Sequence, residues 1–538
     1  MGSIKAFPRG VSLLLTAAFL LLTLAGCGGK DSPLGKTFRF PLSAEPRQID
    51  PQVSRDAPSV TAVAALFEGL TRLDDQGKAV PGAADWTVSP DGLIYTFTLR
   101  DSKWSDGAPV TAADFVFGMQ RAVSPATGSA LAELLFGIQN AREVNAGALP
   151  VEELGVEAAG ERTVVVTLTE PDSGFPEKAA GTPFMPCNQA FFEGTQGRYG
   201  MEVEYVLTNG PFLLAKWAHN QYLRLEKHEG YHGRDDVYPA AVVYRIGLTG
   251  DPLEALQEGD LDAAELSPEQ AEAARLKGLR VIELEDTVQF FWLNTSVQAL
   301  SAPAIRRALR EGLEWDSLRE QLNTTVYEPA TGFVAPDAVV EGGEKYRRAE
   351  NPYVTDVDRA RRDLSAGLAF LELEALPRLT VLCADDDYSQ RLALYAVQSW
   401  QKNLKVYMDI QPVGDAELAS RVEAGNYQIA LYASTAPGLS AMEALGAFTS
   451  GASRGNLSRL QDTGFDTLFT ELSGGSTARE ELDRLEHALN ELCPAIPLAF
   501  QRRYVGLPQT VTGVTIRPFG GGAYGAAISF RHAGKTKA

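Results

Sequence analysis

The pattern of apolar and polar positions changes partway along this chain. In the first part, short extended segments dominate. After an Asp91-Gly92 turn, Ile94 to Arg100 sets Tyr95, Phe97 and Leu99 against Thr96, Thr98 and Arg100, the period-two pattern of a half-buried strand. Thr37 to Leu42, Thr163 to Thr169 and Ala241 to Ile246 read as further strands. Asn209-Gly210-Pro211 marks a break, after which Phe212 to Trp217 and Tyr222 to Lys227 predict a hairpin across His219-Asn220. Thr111-Ala-Ala-Asp114 is a capping-box variant that opens a helix with Phe115, Val116, Met119 and Ala122 on one side. Leu253 to Gln257 begins a helix that stops at Glu258-Gly259-Asp260, and Arg280 to Thr295 is a long extended segment containing Phe290-Phe291-Trp292.

After residue 300 longer helices alternate with strands. Ala302 to Leu313, Val357 to Phe370, Tyr388 to Leu404 and Glu480 to Leu492 read as helices, with strands at Leu379 to Cys383, Val406 to Val413 and Tyr427 to Ala433. That order predicts the α/β class, sheets joined by helical crossovers. There is no internal repeat and no low-complexity tract.

The N-terminus reads as an address. Lys5 and Arg9 precede an apolar run from Val11 to Leu24, which is shorter than the roughly 20 residues a membrane-spanning helix needs. The run ends in Leu24-Ala25-Gly26-Cys27, followed by a polar, glycine-containing stretch, and this order resembles a bacterial lipobox. The resemblance implies a signal peptide over 1–26, acylation of the Cys27 thiol, and a flexible tether over 27–36. A diacylglycerol-bearing Cys27 would hold the chain at the extracytoplasmic face of a membrane.

Composition narrows the class. The chain has 538 residues, with 69 Asp+Glu against 49 Lys+Arg and a net charge of −20, so a phosphate-backbone partner is excluded as the main ligand. Hydrophobic residues make up 45% and charged ones 22%, the balance of a folded protein of several domains. Five His and four Cys are too few and too scattered for a metal- or disulfide-dominated fold. Beyond Cys27, Cys187 and Cys493 form a candidate pair, the alternative being buried free thiols at Cys187, Cys383 and Cys493.

Several motifs suggest chemistry and lack its context. Gly451-Ala-Ser453-Arg-Gly455 spells a nucleophile elbow, but no strand precedes Ser453 and no helix follows it closely. Gly520-Gly-Gly522-Ala-Tyr-Gly525 spells a dinucleotide fingerprint, but too little chain remains to build the required βαβ unit. Asp385-Asp386-Asp387 reads as a solvated loop, and His228 and His232 sit among glycines that favour a turn. No catalytic residue, cofactor or metal site is expected.

One set of motifs carries a likeness. Leu66-Phe67-Glu68-Gly69-Leu70 is followed by Trp104-Ser105-Asp106-Gly107-Ala-Pro109-Val110-Thr111-Ala-Ala-Asp114-Phe115-Val116 and Arg121. Glu45 to Pro51, Thr208-Asn209-Gly210-Pro211-Phe212, Gln257 to Asp262, and Leu293-Asn294 with Ile305 to Leu309 continue the series. In this order they resemble family 5 of the extracytoplasmic solute-binding proteins, which serve peptide, dipeptide and nickel ABC transporters. The resemblance implies a two-lobed, periplasmic-binding-protein-like fold that encloses its ligand between lobes joined by hinge strands. The first lobe would comprise 37–67, 173–287 and 495–538, the extra domain of peptide-binding members 68–172, and the second lobe 288–494. It also implies a monomer that works with ABC permease and ATPase subunits and binds an extended peptide by strand addition.

For ligand contacts the expectation is Phe290, Phe291 and Trp292 on the strand entering the second lobe, then Tyr432, Ser434 and Thr435 at a strand's C-terminal end. One departure bears on the ligand. Peptide-binding members carry G-W-x-x-D after the strand matching Tyr427 to Ala433, and that Asp pairs with the ligand's ammonium; here the stretch is Ser434-Thr435-Ala436-Pro437-Gly438, and Glu443 is the nearest carboxylate. A sugar, opine or metal chelate on the same scaffold, or a receptor lipoprotein without a transport role, therefore remain alternatives to an oligopeptide.

Overall fold

A computed structural model describes residues 37–538 except 75–76, 323–324, 341–342, 347–351, 437, 439, 453–454, 474–477, 519–527, 530, 533 and 536–538. The expected signal peptide, Cys27 and its tether lie outside the described residues, as do Ser453 and the glycine run 520–525. Among the described residues no helix is long and apolar enough to cross a membrane.

Two lobes are built around two large sheets. In the first lobe, Thr37–Leu42 pairs in parallel with Ala241–Ile246, which continues antiparallel to Tyr222–Lys227 and then Phe212–Ala218. The expected hairpin turns at Asn220, which takes a left-handed φ of 58°. A second four-stranded antiparallel sheet, Ala84–Val88, Ile94–Leu99, Thr163–Thr167 and Val156–Ala158, packs with the helix Ala112–Val123 on the same side of the molecule. Phe97, Trp104 and Phe115 from this part share one continuous core with Phe38, Leu223 and Tyr244 of the first sheet.

The second lobe is organised on a seven-stranded mixed sheet. Leu379–Ala384 pairs in parallel with Met408–Val413 and Ile429–Thr435, and Ile429–Thr435 runs antiparallel to Arg280–Leu293. One face is covered by the helices Pro303–Glu311, Val357–Phe370 and Asp387–Leu404, the other by Asp415–Ala424, Ala441–Gly446 and Arg479–Leu492. Leu379–Ala384 and the first half of Ile429–Thr435 are thus covered on both faces and are almost wholly apolar, while the edge strand Met408–Val413 is largely exposed.

Two long strands belong to both lobes. Arg280–Leu293 and Ala495–Leu507 pair antiparallel along most of their length. At one end Leu284, Val505 and Leu507 are buried in the first lobe's core; at the other, Phe291, Leu293, Ile496 and Leu498 are buried in the second. The register shifts between Leu284/Arg503 and Thr287/Gln501, so Glu285 and Asp286 oppose Arg502 alone. That two-against-one count is a β-bulge, which bends a strand and leaves backbone groups outside the ladder. It falls where the chain passes from one lobe to the other.

The motif residues hold this scaffold together. Asp50 takes a 2.6 Å hydrogen bond from the Arg121 guanidinium, whose carbon sits 4.0 Å above the Phe192 ring. The Asp114 carboxylate accepts from the Thr111 backbone at 2.8 Å and from the Trp104 indole at 3.3 Å. Asn209 accepts from Glu68 N–H and donates to Glu68 C=O, while Asp262 accepts from Arg39 N–H at 2.9 Å. Asn294 donates to the Gly425 and Tyr427 carbonyls, and Arg306 donates to those of Leu300, Ser301, Leu492 and Cys493. Each polar side chain satisfies a backbone group or a charge that burial would otherwise leave unpaired.

All three described cysteines are free and buried, so the candidate Cys187–Cys493 pair does not form. Cys187 sits in the first lobe beside Arg121, whereas Cys493 ends the helix Arg479–Leu492 in the second. Burial pushes the thiols of Cys187 and Cys383 up to about 11.

Gly118 shows how tightly the first lobe is packed. A Cβ there would stand 2.4 Å from the Met185 carbonyl oxygen. Gly118→Ala is expected to lower stability by about 1–3 kcal/mol through overpacking, measured as a shift in the denaturant midpoint; an unchanged midpoint would show that the helix can move away from Met185.

Candidate ligand cleft

The C-terminal ends of the second lobe's parallel strands lie at the edge nearest the hinge. Ile429–Thr435 places Thr435 opposite Thr287, with the two hydroxyl oxygens 2.8 Å apart, beside the bulge. Tyr432 and Ser434 are half-buried on this strand and Thr435 is exposed. Open α/β sheets bind ligands at such an edge, and these three expected contacts do lie together there.

The other three do not line an opening. Phe290, Phe291 and Trp292 are 3%, 0% and 1% exposed. Phe291 packs on Trp400 under one layer of helices, while Trp292 stacks on Phe448 and Phe290 packs on Phe333 under the other. Alternate residues of the strand do point to opposite faces, but helices cover both, so the aromatics are core. The Trp292 indole N–H donates to the Tyr432 carbonyl at 3.1 Å and helps fix the position of that strand.

Past the strand end, the short helix Ala441–Gly446 begins at Ser440, whose hydroxyl accepts from Met442 N–H. Glu443 in its first turn is half-buried, and its carboxylate lies so close to Gly438 that a Cβ there would collide with it. Among the described residues Glu443 has no salt-bridge partner. Burial raises its pKa above the ordinary carboxylate value, and the charged groups whose fields reach it are Lys178 and Glu177. Both belong to the helix Phe175–Lys178, which is anchored in the first lobe's core. Lys178 is itself held by Asp172 at 2.7 Å. A backbone hydrogen bond at Ser440 stabilises the Glu443 carboxylate in part, and no described cation pairs with it directly, so a bound cation would complete its charge balance.

His228 and His232 are structural. His228 Nδ1 lies 3.1 Å from the Gly210 carbonyl, and His232 meets the buried Glu68 carboxylate together with Tyr231 and Arg531. Asp386 caps the helix Asp387–Leu404 by accepting from Tyr388 and Ser389 N–H.

Two lobes joined by the shared strands Arg280–Leu293 and Ala495–Leu507 are the architecture of a solute-binding protein. Residues 79–456 match the model of the bacterial extracellular solute-binding proteins, family 5, and the chain belongs to that family. The Bacillus subtilis oligopeptide-binding protein OppA is 29% identical over 432 residues, covering 76% of this chain and 78% of the relative. The structure of the Escherichia coli murein tripeptide binding protein MppA superposes with a TM-score of 0.77 at 25% identity, covering 94% of this chain and all of MppA. The substrate-binding domain of an oligopeptide ABC transporter from Bacillus anthracis gives a TM-score of 0.76 at 26% identity, over 94% of this chain and 99% of that one. Like the other family 5 solute-binding proteins, the protein is a binder rather than an enzyme.

Because Trp292 is core rather than contact, Trp292→Ala is expected to cost about 3–5 kcal/mol of stability. Thermal unfolding of the variant without added ligand is the check; a full loss of binding with unchanged stability would return Trp292 to the cleft.

Proposed function

We propose that this chain is the solute-binding component of an ABC importer and captures oligopeptides with a free N-terminus. It would be anchored through acylated Cys27 on the extracytoplasmic face and would deliver its ligand to the permease and ATPase subunits as a monomer. The observation that carries the reading is Glu443, a carboxylate on the second lobe that has no salt-bridge partner among the described residues and that feels the field of Lys178 from the first. An ammonium group bound there would supply the missing countercharge. The peptide-binding relatives support the ligand class, and the strand end, half-buried at Tyr432 and Ser434 and exposed at Thr435, would meet the neighbouring peptide backbone. This assigns to Glu443 the part that the absent Asp of the family's usual motif leaves open.

A tryptic peptide pool, offered with free or acetylated N-termini and read by native mass spectrometry, tests the proposal. Free peptides are expected to be retained and acetylated ones lost. Glu443→Gln should weaken retention of free peptides by about 30-fold or more, because it removes one member of a desolvated charge pair. Equal retention of both pools would reject the ammonium site, and retention of neither would reject the ligand class. The pH dependence follows from the raised pKa of Glu443. Affinity requires the ionised carboxylate, so it holds above that pKa and falls as pH drops through it. The fall should begin at higher pH than for an ordinary carboxylate.

Lipid anchoring has its own check. Cys27→Ser is expected to move the protein from the membrane fraction to the soluble fraction of expressing cells; unchanged partition would remove the anchor from the reading.

A further inference from the structure

The bulge at the hinge leaves a backbone amide that the strand ladder does not use. Glu285 N–H donates instead to the Asp337 carboxylate at 2.7 Å, and Asp337 N–H returns a bond to the Glu285 carbonyl at 3.1 Å. Asp337 belongs to the second lobe's segment that runs through Phe333, Val334 and Ala338, all buried in that lobe's core. Its other carboxylate oxygen is 2.8 Å from Lys345. Two residues on, Val339 bridges to Ser440 in parallel fashion, and its carbonyl accepts from Ala441 N–H at 2.9 Å. Ala441 is the first residue of the helix that carries Glu443.

One short stretch of backbone therefore holds the hinge bulge with one end and the ligand-facing helix with the other. Asp337 at one end and Val339 at the other are too close in sequence to move independently. A change of backbone angle at Glu285 displaces Asp337, and Val339 carries the displacement to the start of the Ala441–Gly446 helix.

We infer that Asp337 is a positioning residue that couples lobe closure at the Glu285–Asp286 bulge to the orientation of Glu443. The ligand side of this statement rests on the reading of Glu443 given above; the mechanical link between bulge and helix does not. Coupling of this kind is reciprocal. A ligand that seats the helix favours one hinge geometry, and that hinge geometry favours the ligand.

The test uses the full chain and three variants. Asp337→Ala removes the acceptor for Glu285 N–H, Asp337→Asn keeps a carbonyl acceptor, and Lys345→Gln removes only the ion pair. Amide hydrogen exchange without ligand is the first readout. Asp337→Ala is expected to speed exchange at Glu285 and, remotely, at Ala441 and Met442 by about 5-fold or more, the lower end of typical coupling. Asp337→Asn and Lys345→Gln should stay near the parent protein. Faster exchange at Glu285 alone, with Ala441 and Met442 unchanged, overturns the inference. Interlobe distance by fluorescence transfer, with and without the free tryptic peptide pool, is the second readout. Asp337→Ala should need at least about 5-fold more peptide for half-maximal closure, and Asp337→Asn should restore the parent value. Closure of Asp337→Ala at the parent's peptide concentration also overturns it. If no protein binds peptide yet the remote exchange effect is present, the ligand reading fails while the mechanical link stands. Should Asp337→Ala not fold, Glu443→Gln supplies the reverse measurement: bound peptide should protect Glu285 in the parent and not in this variant, and equal protection in both overturns the coupling.

Discussion

The structure depends on two strands being shared between lobes. Arg280–Leu293 and Ala495–Leu507 each bury one end in each core, so neither lobe is complete without the chain that leads to the other. Where they cross, the apolar pattern gives way to Glu285, Asp286, Gln501, Arg502 and Arg503. Asp286 has no exposed side-chain surface and pairs with Arg503 at 2.5 Å, while Arg502 reaches Glu283, Glu285 and Glu328 at 3.2, 3.1 and 2.8 Å. Arg503 also reaches Glu265 on the first-lobe strand Ala264–Leu266. The two arginines tie the crossing to elements on either side by charge rather than by apolar packing. The buried Asp286 holds Arg503 in a bidentate pair that is costly to break, whereas the more exposed pairs of Arg502 can re-form at a changed angle at modest cost.

The family signature can now be given physical content. Asp50, Asp114, Arg121, Asn209, Asp262, Asn294 and Arg306 are buried or nearly so, and each ties one stretch of chain to another by a bond that no hydrophobic residue can replace. Removing one partner would leave the other buried and unsatisfied, which is costly. These bonds are scaffold, so the family match in this chain rests on residues that hold the fold together.

Much of the fold was legible because its elements obey local rules. The capping box at Thr111 and Asp114, the half-exposed strand Ile94–Leu99 and the hairpin at Asn220 depend on residues near one another in sequence. The second hinge strand was not legible. Pro497, Gly506 and the pair Arg502-Arg503 interrupt its apolar pattern, and the chain accommodates Pro497 at a second register shift opposite Phe290. The site was harder still. Phe290-Phe291-Trp292 suggested a cleft wall because alternate side chains on the strand entering the second lobe would face it, yet the absence of any polar residue among the three fits a strand covered on both faces. Asp337 carries no sequence mark at all, since its partner is an amide freed by a bulge.

The three buried thiols have a practical consequence. With Cys187 and Cys383 pushed up to about 11 by burial, almost no thiolate forms at neutral pH, and alkylating reagents have little to attack while the protein is folded. Cys187 belongs to the first lobe and Cys383 and Cys493 to the second. The molecule thus carries chemical clocks in both halves: the order in which these cysteines become reactive during unfolding reports which lobe comes apart first, without any label being introduced.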